Sequence, residues 1–197
     1  MPRETDYFSF FGLPRKLKID EADLERRFHQ LSFKLHPDNF VRATAAEREL
    51  SLERSSELND AYRALREPVT RIEYLLSRAG MRKEGSHKQQ APPELLEEVF
   101  ELNESLDELR EARGAGGDEA ARAEIVARLK AAAQDFEAKL ADIDSELARI
   151  AAEWDRAIDA DAAEPDQIAL MSRMNDALNR RSYIRNLVRK VAEELAA

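Results

Sequence analysis

Residues 34–40 have the sequence KLHPDNF, and this short stretch decides how the first part of the chain folds. An apolar run with helical spacing comes directly before it and ends at Leu35. Pro37 disfavours the helical conformation of the residue before it, so the sequence predicts that the helix stops there. The proline also fixes a bend, which would present His36 and Asp38 to a partner at little entropic cost. The tripeptide alone is equally compatible with an ordinary turn in which Asp38 caps a backbone N–H.

Spacings of three and four between apolar residues extend on both sides of this turn and predict an all-α domain. Start and stop signals divide it into four helices. The predicted segments are DYFSFF closed by Gly12, Glu21 to Leu35 behind an N-capping Asp20, Thr44 to Arg66 behind a Thr44–Glu47 capping box, and Pro68 to just before Gly80.

A polar stretch, MRKEGSHKQQAPP at residues 81–93, predicts a linker between two domains. We therefore predict a first domain at 1–80 and a second at 94–197. The second is predicted to hold one helix before the GAGG at 114–117, one long helix with apolar heptad positions from Val126 to Ala157, Trp154 among them, and a final helix. Three helices joined by short loops form an antiparallel bundle.

Composition argues against most catalytic and metal chemistry. The 197 residues include no cysteine, so disulfides, thiolate ligands and cysteine nucleophiles are excluded. The three histidines lack zinc-site spacing, and the six glycines form no phosphate-binding loop. We expect no metal, no cofactor and no enzymatic activity. The opening MPRETDYF lacks the features of a signal peptide, and no apolar run is long enough to cross a membrane, which predicts a cytoplasmic protein without a membrane partner.

The net charge of -9 is unevenly distributed. Residues 1–80 carry 14 Lys and Arg against 14 Asp and Glu, whereas residues 81–197 carry 17 against 26. An acidic surface repels phosphate, so nucleic acid is not an expected partner. A basic protein surface is better suited to the second domain.

Together with DYFSFFGLP and LNDAYRALREPVTRIEYLL, the HPD stretch resembles a J-domain, and more narrowly the HscB-type iron–sulfur cluster co-chaperones. The resemblance is clear over residues 5–109 and weaker beyond. It implies a J-domain that binds a DnaK/HscA-type chaperone and stimulates its ATPase, and a second domain that binds an IscU-type iron–sulfur scaffold protein. Leu35 and Asn39 depart from the family pattern, which commonly has an aromatic residue and a lysine there.

The site predicted to bind the chaperone ATPase combines this turn with the helix before it. Arg26, Arg27 and Lys34 supply a basic outward face, which suits an acidic partner. In the resemblance, His36, Pro37 and Asp38 match the essential loop, and Asp38 would pair with an arginine of the ATPase.

The site predicted to bind the scaffold lies on the helix that follows residue 93. Its seam is complete without Leu96 and Phe100, so these two form either a binding patch or part of a wider core stripe. The resemblance matches Leu96, Phe100, Glu101 and Glu104 to scaffold contacts, and RRSYIRNL places Tyr183 in the same patch. Loop positions predict that Leu96 and Tyr183 are offset by about 10 Å along the bundle.

Two alternatives to the adaptor hypothesis stay open at this point. In one, the J-domain is joined to a coiled-coil dimerisation arm that serves another client, which the long heptad array favours. In the other, carboxylates of an all-α enzyme perform catalysis, for which the sequence contains no recognisable constellation.

Overall fold

The computed structural model of the protein describes residues 6–82, 92–114 and 119–197. Within these ranges the chain is helical and contains no strand, which confirms the predicted all-α class. The helices are α1 (Tyr7–Phe10), α2 (Glu21–Leu35), α3 (Ala45–Arg66), α4 (Pro68–Arg78), α5 (Leu96–Gly114), α6 (Glu119–Asp159) and α7 (Glu164–Ala196). Short 3-10 turns cover Pro37–Phe40 and Pro93–Leu95.

The described residues form two compact units. The first contains residues 6–82 and Ile150–Ser172, and the second contains the described part of 92–149 and Arg173–Ala197. Most of the predicted linker lies outside the described residues, so the boundaries at 80 and 94 remain predictions. The sequence did not predict that Ile150–Ser172 would group with the first unit.

The core of the first unit lies between α1, α2 and α3. Its buried side chains are Phe8, Phe11, Leu24, Leu58, Ala61 and Leu65. The rings of Phe28 and Tyr62 stack at 4.3 Å and join α2 to α3. Gly12 closes α1 as predicted, with a φ of +66° that a side chain would strain.

The last part of α6 belongs to the first unit because it binds the loop between α1 and α2. Trp154 is buried, and its Nε1–H donates to the carbonyl of Arg15 at 2.9 Å. The carboxylate of Asp155 accepts the backbone N–H groups of Leu17 at 2.6 Å and Lys18 at 2.8 Å. Trp154 is therefore a core residue, as its heptad position predicts, and its indole N–H is bonded to this loop.

Arg71, the second arginine of the REPVTRIEYLL stretch, has a structural role. Its side chain is buried, with only 3% of the residue exposed. The guanidinium donates to the carbonyls of Leu65 at 2.7 Å and Arg66 at 3.0 Å, and also to that of Leu17. One side chain thus connects α4, the end of α3 and the loop before α2.

The second unit is an antiparallel bundle of α5, α6 and α7, as predicted. The buried side chains from α5 and the turn before it are Leu95, Leu102, Leu106 and Leu109; those from α6 are Leu129, Phe136, Ile143 and Leu147; those from α7 are Met174, Ala177, Leu178, Ile184, Leu187 and Val191. Most of the heptad face of α6 is therefore buried within a single chain, while Val126, Ala133 and Leu140 are half-buried. Ion pairs join neighbouring helices, including Arg110–Glu194 at 2.7 Å and Arg180–Glu146 at 2.7 Å.

Candidate functional site

The His-Pro-Asp turn is displayed on the surface of the first unit. The side chains of His36 and Asp38 are 55% and 84% exposed. Pro37 begins a single 3-10 turn, and the imidazole Nδ1 of His36 accepts the backbone N–H of Asp38 at 3.3 Å. The same nitrogen lies 3.4 Å from a carboxylate oxygen of Asp38. The imidazole and the carboxylate thus lie side by side and are both accessible to a partner.

Two further side chains hold the end of α2, where helix carbonyls have no partner within the helix. Asn39 donates its side-chain amide to the carbonyl of Phe33 at 2.6 Å. Ser51, which is buried on α3, donates its hydroxyl to the carbonyl of Leu35 at 2.9 Å. The turn is therefore tied to both helices of the hairpin, which limits the entropy that binding would cost.

The three cations predicted to steer docking have different surroundings. Arg26 and Lys34 are exposed on α2. Arg27 is half-buried, and its guanidinium donates to the carbonyls of Phe11 at 2.8 Å and Gly12 at 3.2 Å. Arg27 therefore anchors the loop after α1, so its predicted contact with a partner has the least geometric support of the three.

Asp23 reduces the positive charge of this helix. It forms ion pairs with Arg26 and, at 2.8 Å, with Arg27. The hydrogen bonds from Arg26 and then Arg27 hold the pKa of the Asp23 carboxyl below its ordinary value. The positive charge of this face thus comes mainly from Lys34 and from the exposed guanidinium of Arg26.

On the second unit, Leu96 and Phe100 are exposed, at 55% and 71%. The neighbouring seam residues Leu95 and Leu102 are at most 5% exposed. The interpretation of Leu96 and Phe100 as part of a wider core stripe is therefore wrong. A large aromatic and a large aliphatic side chain one turn apart in solvent are typical of an interaction surface.

Tyr183 on α7 lies at nearly the same height in the bundle as Leu96. Lys139 of α6 contacts Glu98 at 2.6 Å, and Asp144 contacts Arg181 at 2.6 Å. Leu96 lies two residues before Glu98, and Tyr183 lies two residues after Arg181. In the antiparallel bundle both therefore lie beside Asp142 of α6 or its immediate neighbours. The predicted offset of about 10 Å is too large, partly because α6 begins only at Glu119, later than the loop position used for the prediction.

Tyr183 is half-buried, and burial raises the pKa of its phenol. Like that of any tyrosine, its hydroxyl is protonated at neutral pH and can donate a hydrogen bond.

Glu101 and Glu104 are exposed on α5 and line a groove of about 830 Å³ between α5 and α6. Other acidic residues of the groove are Glu98, Glu108, Asp135 and Asp142, and its cations are Arg128 and Lys139. Arg128 pairs with Glu108, and Lys139 pairs with Glu98. The groove is thus acidic, as the charge distribution predicts, and neither Leu96 nor Phe100 lines it.

Within the described residues, no group of three or more His, Cys, Asp or Glu is placed to hold a metal ion. In the same part of the chain, no helix combines the length and the hydropathy needed to span a bilayer.

Sequence analysis missed one exposed residue at the first site. Phe33 on α2 is 78% exposed. Its position nine residues after the buried Leu24 places it opposite the core stripe, and this spacing was the signal that could have identified it.

A helical hairpin with an exposed His-Pro-Asp turn defines the first unit as a J-domain, the module that characterises one class of co-chaperone. No family model matches the chain. The chain is 35% identical over 154 residues to the co-chaperone protein HscB homolog of Vibrio vulnificus, covering 78% of this chain and 85% of that protein. It is 36% identical over 138 residues to the homolog of Bordetella avium, covering 70% and 79%.

Two solved structures resemble the whole fold. Chaperone HscB from Vibrio cholerae matches with a TM-score of 0.57 and 27% identity, over 97% of this chain and 99% of that one. Human co-chaperone protein HscB matches with a TM-score of 0.57 and 26% identity, over 98% and 84%. The chain therefore belongs to the HscB family of co-chaperones.

Proposed function

We propose that this protein is an adaptor in iron–sulfur protein maturation. Its J-domain docks on a DnaK/HscA-type chaperone and stimulates ATP hydrolysis, while its second unit binds an IscU-type scaffold protein. One chain that carries both sites raises the concentration of the scaffold near the ATPase, so each contact needs only moderate affinity. The protein itself performs no chemistry in this proposal.

The observation that carries the proposal is the geometry of the His-Pro-Asp turn. His36 and Asp38 are in contact with each other, exposed, and held by hydrogen bonds from Asn39 and Ser51 to the end of α2. An ordered carboxylate beside exposed cations suits a partner surface that offers both an arginine and acidic groups. The polar groups need little ordering on binding because they are already fixed.

Support for scaffold binding comes from Leu96, Phe100 and the glutamates of α5. The two apolar side chains expose area that a partner would bury, and the exposed glutamates Glu97, Glu101 and Glu104 neighbour them along α5. Tyr183 lies at the same height on α7. This arrangement of apolar anchors within a charged rim favours a partner with an apolar patch and basic neighbours.

ATP hydrolysis by the chaperone in single turnover, with and without the protein, tests the first half of the proposal. His36→Gln should abolish the stimulation while leaving the circular dichroism spectrum unchanged. His29→Gln is a matched control, because His29 is also exposed on α2, paired with Glu25 at 3.8 Å, and outside the turn. Full stimulation by His36→Gln would refute the proposed role of the turn.

The alternative of a coiled-coil dimerisation arm has less support than the adaptor, because most of the heptad face of α6 already packs within one chain. Between Leu129 and Trp154, six residues of the heptad face that suggested it are buried within one chain, and Ala133 and Leu140 are half-buried. A mass that increases with concentration in sedimentation experiments would revive this alternative.

We also propose that the protein acts in the cytoplasm. Fractionation of the native cells, with detection of the protein beside its chaperone, would test this localisation.

A further inference from the structure

Phe33 is an unexplained apolar side chain on the outer face of α2. At 78% exposure it is the most exposed large hydrophobic residue in the described part of the chain. Single exposed hydrophobic residues are common on protein surfaces, so exposure alone carries no function. The position of Phe33 relative to the His-Pro-Asp turn is the second observation.

Arg26, Gln30 and Phe33 follow i, i+4, i+7 spacing and lie along one exposed strip of α2, which we call the outer strip. The strip leads directly to His36. The backbone carbonyl of Phe33 accepts the side-chain amide of Asn39, so Phe33 and the turn belong to one hydrogen-bonded unit. A partner that grips His36 and Asp38 and extends along α2 would therefore cover the ring of Phe33.

We propose that Phe33 is an additional contact for the chaperone ATPase, whose surface would seat the ring in an apolar depression next to acidic groups that face Arg26 and Lys34. This inference rests on the proposed function, because it assigns the same partner to the same face. An aromatic ring flanked by cations has the composition of a binding hot spot. Continuity with the turn and the charge of the neighbouring side chains favour this partner over a second copy of the chain.

The apolar and charged contacts of this face respond differently to salt. Salt screens the attraction between exposed charges but leaves burial of an aromatic ring nearly unaffected. The contribution of Phe33 should therefore persist at high salt, whereas that of Arg26 should shrink. Loss of the ring should act mainly on the dissociation rate, and loss of the rim charge mainly on the association rate.

The experiment measures the concentration of full-length protein that gives half-maximal stimulation of the chaperone ATPase, at low and at high salt. Phe33→Ala should raise that concentration about tenfold at both salt levels, since hot-spot truncations cost this much or more. Maximal stimulation should remain, because His36 and Asp38 are intact. Phe33→Leu should keep part of the affinity, and Ile168→Ala, which shortens another exposed apolar residue of the first unit, should behave as wild type.

The outcomes separate this inference from the proposed function. If His36→Gln abolishes stimulation and Phe33→Ala matches wild type, the inference is wrong and the proposed function stands. If His36→Gln still stimulates, the proposed function itself fails. If Phe33→Ala changes the mass of the protein in sedimentation but not the stimulation, the ring serves self-association and the inference is overturned.

Discussion

The side chain of Asn39 ties the His-Pro-Asp turn to the last turn of α2, since its amide donates to the carbonyl of Phe33 at 2.6 Å. The family resemblance has lysine at this position, so this chain exchanges a charge for a hydrogen bond to the backbone. The carbonyls of Phe33 and Leu35 at the end of α2 thus both accept side-chain donors, one from Asn39 and the other from Ser51. The order of the turn is thus a property of the folded hairpin before any partner binds.

Asn39→Ala should loosen this turn without unfolding the unit. The lost hydrogen bond is exposed, so the free energy of unfolding should fall by at most about 1.5 kcal/mol. Backbone amides at residues 36–40 should exchange with solvent faster, which mass spectrometry of peptides after deuterium labelling would measure. Asn59→Ala is a matched control, because Asn59 makes the same kind of bond to Ser55 at 2.9 Å inside α3. Equal exchange at residues 36–40 in both variants would contradict the role given to Asn39.

Truncating both Leu96 and Phe100 to alanine should weaken scaffold binding by about 2 kcal/mol or more, which is roughly thirtyfold in Kd. Because both side chains are exposed, the thermal unfolding of the variant should stay close to that of wild type. Titration calorimetry with the purified scaffold protein would measure the affinity.

Leu102→Ala is the matched control, and its main effect should be a loss of stability. Leu102 is buried on the same helix, so its truncation should cost about 2–5 kcal/mol of stability. The binding interpretation fails if the Leu96 and Phe100 double variant melts early and binds normally once folded.

Arg71→Met should destabilise the first unit by about 3 kcal/mol, because it leaves the carbonyls of Leu65, Arg66 and Leu17 without their shared donor. Fluorescence of Trp154, the single tryptophan and part of the first unit, would follow urea unfolding of this unit specifically. Arg63→Met serves as the comparison, since the side chain of Arg63 is 77% exposed and its unfolding midpoint should hardly move. Equal midpoints for the two variants would disprove a structural role for Arg71.

The sequence predicted most elements because their boundaries are set locally. Pro37 ends α2, the Thr44–Glu47 capping box starts α3 with both of its hydrogen bonds present, and Gly12 ends α1. Each signal acts within a few residues of the boundary that it determines.

Contacts between distant residues were not predictable in this way. The hydrogen bonds that the backbone N–H groups of Leu17 and Lys18 donate to Asp155 join positions more than 130 residues apart, and only the folded chain brings them together. Whether Leu96 and Phe100 are core or surface residues also depends on contacts between distant parts of the chain. Helical spacing shows which residues share a face, but the number of neighbouring helices decides how much of that face is buried.

The phenol of Tyr74 makes the stability of the first unit depend on pH in the alkaline range. Burial raises the pKa of Tyr74 to about 12, whereas a tyrosine in an unfolded chain titrates near 10. The folded state therefore retains its proton after the unfolded state has begun to lose it. The contribution is fully present below about pH 10 and is lost as the pH rises from 10 through 12.

Urea midpoints followed by Trp154 fluorescence should accordingly decrease between about pH 10 and 12, and Tyr74→Phe should flatten this decrease. The same variant should be less stable at neutral pH, since the Tyr74 hydroxyl accepts the N–H of Tyr7 at 2.8 Å and donates to Asp6 at 3.2 Å. Tyr62→Phe leaves Tyr74 in place, so the alkaline slope should persist in that control. An unchanged slope in Tyr74→Phe would assign the alkaline loss of stability to other groups.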